Sequence, residues 1–371
     1  MEYNFIATCA LGIEGLLADE LKRIGLKKVT SENGRVFFSG DATACAKANV
    51  FSRLSERILL KLAEFPANDF DTLFDNVKKI PFENFIGKFD AFPVTGYSLN
   101  SELYSIPNCQ SIIKKAIVER LKTAYKTDWF LENANTVKIR FSIIKNKVTV
   151  AIDTSGEGLH KRGYRAHSNI APIKETLAAA MCNLARIFPD TILYDPFCGS
   201  GTILIEAALM AKNQAPGLNR KFAGENLSFI GQNAFKQART EALDLIIKNP
   251  EFQGIGFDIE KACVDLTLEN ARKAGVENLI TARVADVKDL TLPEGRLKVI
   301  TNPPYGERLL DIKMAEDLYR ILGSVLPNEK GKGYFVISPQ DNFEELFSRK
   351  ADKKRKLYNG MLKCDVYMFF K

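Results

Sequence analysis

The sequence predicts an α/β protein in which a mostly parallel, doubly wound sheet occupies residues from about 161 to 371, behind two small α+β units at 1–62 and 63–160. Three observations lead there. The chain has 371 residues, more than the roughly 100–200 of one ordinary domain. Up to about residue 160 it alternates short strands, tight turns and helices, whereas beyond Arg165 apolar strands alternate with helical stretches. The second pattern is that of consecutive βαβ units on a parallel sheet.

Composition narrows the class. Hydrophobic residues at 46% and charged residues at 26% suit a folded soluble protein and exclude a disordered or fibrous one. Lys plus Arg at 52 against Asp plus Glu at 45 gives +7, an excess that favours a polyanionic partner without requiring one. Seven cysteines stand singly at 9, 45, 109, 182, 198, 263 and 364 with no C-x-x-C pair, which argues against a disulfide framework and a zinc ribbon. With His160 and His167 as the only imidazoles, a His-rich metal site or a Ser-His-Asp centre lacks raw material, and no metal is expected. The first residues carry no Lys or Arg ahead of their apolar stretch and include Glu14 within it, unlike a signal peptide. No apolar run reaches the roughly 18 residues of a membrane helix, so a cytoplasmic protein is expected.

Taken in order, Tyr3 to Thr8 reads as a strand. Ile13, Leu16, Leu17, Leu21 and Ile24 then recur at helical spacing before Gly25. Asn33-Gly34 ahead of Val36-Phe37-Phe38 is a two-residue hairpin signal, positive φ suiting both turn residues. Ala42 to Leu62 reads as helical. In the second unit a helix opens near Pro107-Asn108, with Ile112, Ile113, Ala116, Ile117 and Leu121 on one face and Lys114, Lys115 and Arg120 off it. Val137, Ile139 and Phe141 alternate with Lys138 and Arg140, and Val148, Val150 and Ile152 follow the turn 145–147, giving an antiparallel hairpin with a basic outer face. In the last unit strands are expected at 191–194, 254–257, 279–284, 297–301 and 333–337, with a closing hairpin over 357–370 around Asn359-Gly360. The basic run 350–356 reads as a solvated loop.

The most informative stretch is Tyr194-Asp195-Pro196-Phe197-Cys198-Gly199-Ser200-Gly201-Thr202, a glycine turn between the first α/β strand and a helix. Ligands of open α/β sheets bind at such strand ends, where close backbone approach and helix N–H groups are available. A dinucleotide fingerprint needs a third small residue where Leu204 stands, and a P-loop or nucleophile elbow needs motifs absent here. A cofactor with a nucleoside and a charged amino-acid tail remains. Asp258, ending the second strand, can accept from a ribose diol. Asp286, ending the third, can accept from an adenine amino group, with Ile259 and Val287 flanking the ring.

The fourth strand ends in Asn302-Pro303-Pro304-Tyr305. An exocyclic amine on a base is a poor nucleophile because its lone pair is delocalised into the ring. If the Asn302 side-chain oxygen and the Pro303 carbonyl accept its two protons, the nitrogen is pushed towards a tetrahedral shape with its lone pair aimed at a methyl donor. Pro303 and Pro304 stiffen the turn, and Tyr305 offers a face on which an extruded base can stack.

Together these residues resemble a class I S-adenosylmethionine-dependent methyltransferase of Rossmann-like fold over about 161–371: Asp195 to Thr202 is similar to its glycine motif and Asn302 to Tyr305 to its amino-methylating motif. Lys161-Arg162-Gly163-Tyr164-Arg165 with Ala171 to Ala180 resembles the motif ahead of the core in THUMP-containing RNA methyltransferases, residues 63–160 a THUMP domain, and 1–62 the ferredoxin-like domain that accompanies it. The resemblance implies S-adenosylmethionine as cofactor, with Glu175 and Thr176 near its methionine end. It also implies RNA as partner, with Lys114, Lys115, Lys138, Arg140, Lys161, Arg162 and Arg165 as candidate contacts. Asn302 to Leu309, including Gly306-Glu307-Arg308, is most similar to bacterial ribosomal RNA guanine-N2 methyltransferases. Large-subunit ribosomal RNA is the expected substrate. A transfer RNA substrate, DNA adenine-N6 methylation and a non-catalytic RNA-binding assembly role are the alternatives.

Overall fold

The computed structural model describes residues 2–165, 172–305 and 312–370. His167, Ala171 and the motif extension 306–309 lie outside them. Contacts divide the chain into two units, Met1–Cys9, Ala18–Leu159 and Lys221–Thr240 in one, and Ala10–Leu17, His160–Arg220 and Glu241–Lys371 in the other.

The first unit is built from β1 (Tyr3–Thr8), the end of α1 (Glu14–Arg23), β2 (Lys27–Glu32), β3 (Arg35–Gly40), α2 (Ala42–Phe51), β4 (Arg57–Pro66), α3 (Phe70–Lys78), β5 (Val94–Leu99), α4 (Ile106–Tyr125), β6 (Ile139–Ile144) and β7 (Lys147–Asp153). Its seven strands form one sheet in the order β2-β3-β1-β4-β7-β6-β5. The helix expected over 42–62 ends at Phe51, and the rest is β4. Two causes are visible. The buried Glu20 carboxylate accepts from Ser52 Oγ (2.7 Å) and from the Arg53 and Leu54 N–H groups (3.0 and 3.3 Å), drawing the chain away from the helix axis. Leu60 then sits between Phe5 of β1 and Ile152 of β7, so burial in the sheet overrides local helix preference. The boundary expected at 62 therefore falls inside a strand that both expected modules share.

Turn chemistry also differs. Gly34 has φ of 73° but Asn33 does not adopt positive φ; the pair of positive angles occurs at Lys145 (51°) and Asn146 (63°), closing β6 on β7 with Lys147 already in the strand. Residues 221–240, expected in the last unit, pack with the first. Gly224 N–H donates to the Thr154 carbonyl at 2.8 Å, and the Phe229 ring meets Tyr3 and Phe85 at 6.2 and 5.1 Å.

The second unit contains α5 (Glu175–Leu184), β8 (Ile192–Asp195), α6 (Thr202–Ala211), the end of α7 (Gln232–Asp244), β9 (Gln253–Asp258), α8 (Lys261–Ala274), β10 (Ile280–Val284), β11 (Leu297–Thr301), α9 (Ile312–Val325), β12 (Lys332–Ser338), α10 (Phe343–Leu346), β13 (Lys353–Asn359) and β14 (Leu362–Phe370). The strand order is β10-β9-β8-β11-β12-β14-β13, parallel except for β14, which runs antiparallel to both neighbours. Lys353–Lys356, expected in a loop, belongs instead to the edge strand β13, where charged side chains discourage pairing with another chain. The chain leaves β8 towards β9 on one side and returns to β11 on the other. That reversal opens the crevice in which α/β sheets bind ligands. Among the described residues no helix is long and apolar enough to cross a membrane.

Candidate active site

The glycine turn joins β8 to α6. Gly199 and Gly201 have φ of 54° and 76°, values that L side chains rarely adopt. A Cβ on Gly201 would lie 2.8 Å from Thr267 Cγ2, whereas one on Gly199 would meet nothing within 4 Å. The turn is therefore packed on the α8 side and open above Gly199. Helix α8 fixes it through Thr267 Oγ1 donating to the Gly199 carbonyl and Asn270 Nδ2 to the Ser200 carbonyl, both at 2.9 Å. Sequence reasoning missed both residues. The signal was there, since a Thr and an Asn stand on the stripe of α8 that otherwise buries Val264, Ala271 and Ala274.

Asp258 at the tip of β9 accepts from Gly199 N–H and Glu260 N–H, each at 3.0 Å. Each carboxylate oxygen can accept more than one bond, so these contacts orient the group while leaving it able to take a diol. Ile259 beside it is 68% exposed. Asp286 accepts from Lys288 N–H and pairs with Lys288 Nζ, both at 3.1 Å, and these bonds hold its carboxyl below the usual range. Val287 packs into the core with Tyr319 and Leu322 as well as lining a cavity of about 290 Å³ beside Tyr194, Pro196, Phe257, Arg283 and Asp286. Gly199–Gly201, Asp258 and Glu175 do not line that cavity.

Asp195, expected to touch the cofactor, is 1% exposed and braces the turn. Its Oδ1 accepts from Thr301 Oγ1 at 2.7 Å and from Phe197 N–H at 3.2 Å, tying the glycine turn to the last residue of β11. Burial, followed by the charge of Asp258, pushes its carboxyl up to about 7. In the unfolded chain such a group ionises near 4. Between about pH 4 and 7 the folded protein thus holds a proton that the unfolded chain has lost, and stability falls as pH rises. Asp195→Asn keeps an acceptor for Thr301 and is expected to remove that slope in urea unfolding measured across this window; an unchanged slope would assign it to other groups.

One residue beyond Thr301, the catalytic candidates come together. The Tyr305 hydroxyl donates to Asn302 Oδ1, and Tyr319 Oη donates to the Pro304 carbonyl at 3.4 Å while accepting from Ser338 Oγ at 3.2 Å. Pro303 is buried.

The arginines ahead of α5 are not free to meet RNA. Arg162 is 6% exposed, and its Nε and Nη2 each lie 3.4 Å from the buried Glu206 carboxylate of α6, which also accepts from Tyr164 Oη at 3.0 Å. A cation in that position cannot reach a phosphate without breaking a buried ion pair. Arg165 Nη2 donates to Thr202 Oγ1 (2.9 Å) and the Ile173 carbonyl (3.0 Å) and lies 3.6 Å from Glu175 Oε1, joining the start of α5 to the glycine turn. Burial raises the Glu175 carboxyl while Arg165 opposes the rise, and Thr176 is 1% exposed. A lone acid within the apolar helix Thr202–Ala211 was the unread sign of Glu206.

In the first unit the candidate contacts separate. Ile139, Phe141 and Ile143 of β6 are buried, so Lys138 and Arg140 alternate onto the other face of that strand. Arg140 there donates through Nε and Nη2 to Asp153 Oδ2, both at 3.3 Å. Lys114 Nζ sits 3.4 Å from the Phe92 ring centroid and pairs with Glu132 at 2.5 Å, while Lys115 and Lys138 are exposed, as is Lys161 of the second unit.

Comparison with known proteins decides the family. A model described as RMKL-like, methyltransferase domain, matches residues 162–368, preceded by an RlmL ferredoxin-like domain at 4–59 and a THUMP domain at 67–153. The chain belongs to the RMKL-like methyltransferase family. It is 42% identical over its whole length to 96% of Putative RNA methyltransferase YpsC of Bacillus subtilis (strain 168). It is 32% identical, over 99% of its length, to Ribosomal RNA large subunit methyltransferase K/L of Syntrophotalea carbinolica, and spans about half (53%) of that protein. A crystal structure of a putative methyltransferase complexed with SAH matches with a TM-score of 0.93 at 40% identity, covering 100% of this chain and 98% of that one.

S-adenosylmethionine is accordingly the methyl donor of this RMKL-like methyltransferase. The open space above Gly199, the oriented carboxylate of Asp258 and the exposed Ile259 at the next position suit a ribose and an apolar ring edge. Asp258→Ala is expected to weaken S-adenosylhomocysteine binding by roughly 1.5–3 kcal/mol, the range for hydrogen bonds to a charged group. Isothermal titration checks this, and unchanged affinity would remove the carboxylate from the site.

Proposed function

We propose that this RMKL-like methyltransferase transfers a methyl group to the exocyclic N2 amine of a guanine in large-subunit ribosomal RNA. One observation carries the chemistry: the Thr301–Asp195 bond (2.7 Å) holds Asn302 beside the glycine turn, where an amine and a cofactor bound at that turn can meet. Asn302 Oδ1 and the Pro303 carbonyl accept the two amine protons and turn the lone pair out of conjugation. When bound, S-adenosylmethionine supplies an electrophilic methyl carbon. After transfer the ammonium product loses a proton to solvent, so no side-chain base is required. Around this centre we assign Gly199 to Thr202, Asp258, Ile259 and Asp286 to the cofactor, with Glu175 and Thr176 towards its methionine end.

The choice of RNA is supported by the THUMP match and by the names of the two relatives, and that of large-subunit ribosomal RNA by the K/L relative alone. In this reading residues 1–160 capture structured RNA by backbone and shape in the cytoplasm and present one base to residues 161–371. Of the candidate contacts, Lys115 and Lys138 are exposed. Quantitative nucleoside mass spectrometry of separated ribosomal and transfer RNA, from cells with and without the gene, tests the reading. Loss of N2-methylguanosine from large ribosomal RNA supports it. Loss from transfer RNA keeps the chemistry and moves the substrate, whereas no loss in either overturns the RNA reading.

A further inference from the structure

We propose that the Tyr305 hydroxyl occupies the Asn302 acceptor while no base is bound, so that an incoming amine must displace a phenol to reach it. The proposal rests on the reading of Asn302 as the acceptor of the target amine. Its basis is the hydrogen bond from Tyr305 Oη to Asn302 Oδ1. The amide nitrogen of Asn302 can only donate, so Oδ1 is the one side-chain atom there able to accept from an amine. Burial keeps the phenol protonated far above neutrality. It is therefore a donor over the whole working pH range.

The turn itself is fixed from another direction. Tyr319 Oη bonds the Pro304 carbonyl at 3.4 Å and is in turn bonded by Ser338 Oγ at 3.2 Å, so rotation of the Tyr305 side chain frees Oδ1 without rebuilding the backbone. Two consequences follow. A partly buried carbonyl is never left without a donor, which would be costly, and it stays oriented for the base. Entry of a base becomes an exchange of one hydrogen bond for another. A base edge lacking an N–H donor loses the bond and gains none, so the device discriminates against it.

Tyr305→Phe keeps the ring and deletes the competitor. In label transfer from tritiated S-adenosylmethionine to total RNA from cells lacking the gene, it is expected to lower KM for RNA about fivefold, the weight of one ordinary net hydrogen bond. In filter binding it is expected to tighten RNA affinity by the same factor in the parent and not in an Asn302→Ala background, where there is no acceptor to release. Unchanged S-adenosylhomocysteine binding confirms an intact fold. A fall in kcat at constant KM would make the hydroxyl part of the chemistry and overturn the proposal, as would equal tightening in both backgrounds. Full turnover by Asn302→Ala alone would remove the acceptor role and this proposal with it, whatever Tyr305→Phe does.

Discussion

Asn302→Ala is expected to abolish measurable methyl transfer, a loss of at least about 10²–10³-fold in kcat, by analogy with removing a positioned polar group that acts on developing charge. The loss falls on kcat because polarising the amine matters most as the nitrogen pyramidalises, and an interaction stronger in the transition state than in the ground state lowers turnover when removed. The side chain is partly exposed at the end of β11, and its strand is held by Thr301 Oγ1 on Asp195 at 2.7 Å, which the substitution leaves in place. Cofactor and RNA affinities should therefore stay close to those of the parent. Single-turnover label transfer together with titration by S-adenosylhomocysteine checks both halves. Undiminished turnover would place the reacting amine elsewhere.

Glu206→Ala is expected to carry the largest stability cost, about 3–5 kcal/mol, the range for breaking a buried ion pair by removing one partner. Arg162 would remain 6% exposed without the Glu206 charge, and Tyr164 Oη would lose the acceptor it meets at 3.0 Å. Replacing both members, as in Arg162→Met with Glu206→Leu, should recover much of that cost, because an apolar pair of similar volume owes no desolvation. Denaturant unfolding of the full chain gives both values. A cost below roughly 1 kcal/mol for the single variant, as for an exposed pair, would mean that water reaches the arginine.

What could be read from residues alone follows the physics of each element. β1 and β11 were legible to the residue and β8, β9, β10 and β12 to within one residue at each end; β8, β11 and β12 were so because inner strands of a parallel sheet are short apolar runs between turn residues. The glycine turn and Asn302-Pro303 were legible because strand ends of an open α/β sheet gather at one crevice. The misreadings share a cause, namely partners distant in sequence. The carboxylate of Glu20 redirects residues 52–54, Phe229 finds Tyr3 and Phe85, and Glu206 claims Arg162 from 44 positions away. Charge was legible for Lys114 and Arg140, but not that Glu132 and Asp153 already engage them.

The seam strand β4 gives the amino-terminal half an inheritance that differs from its mechanics. Two family models meet between residues 59 and 67, yet β4 runs from Arg57 to Pro66 and is paired along both edges, to β1 and to β7. Modules that family models describe separately here share one continuous sheet. Cutting between them would strip a central strand of a partner and expose a row of unpaired N–H and C=O groups, the template from which aggregates grow. Expressing either module alone would thus sample a sticky fragment, and domain-swap engineering should place no junction within Arg57–Pro66.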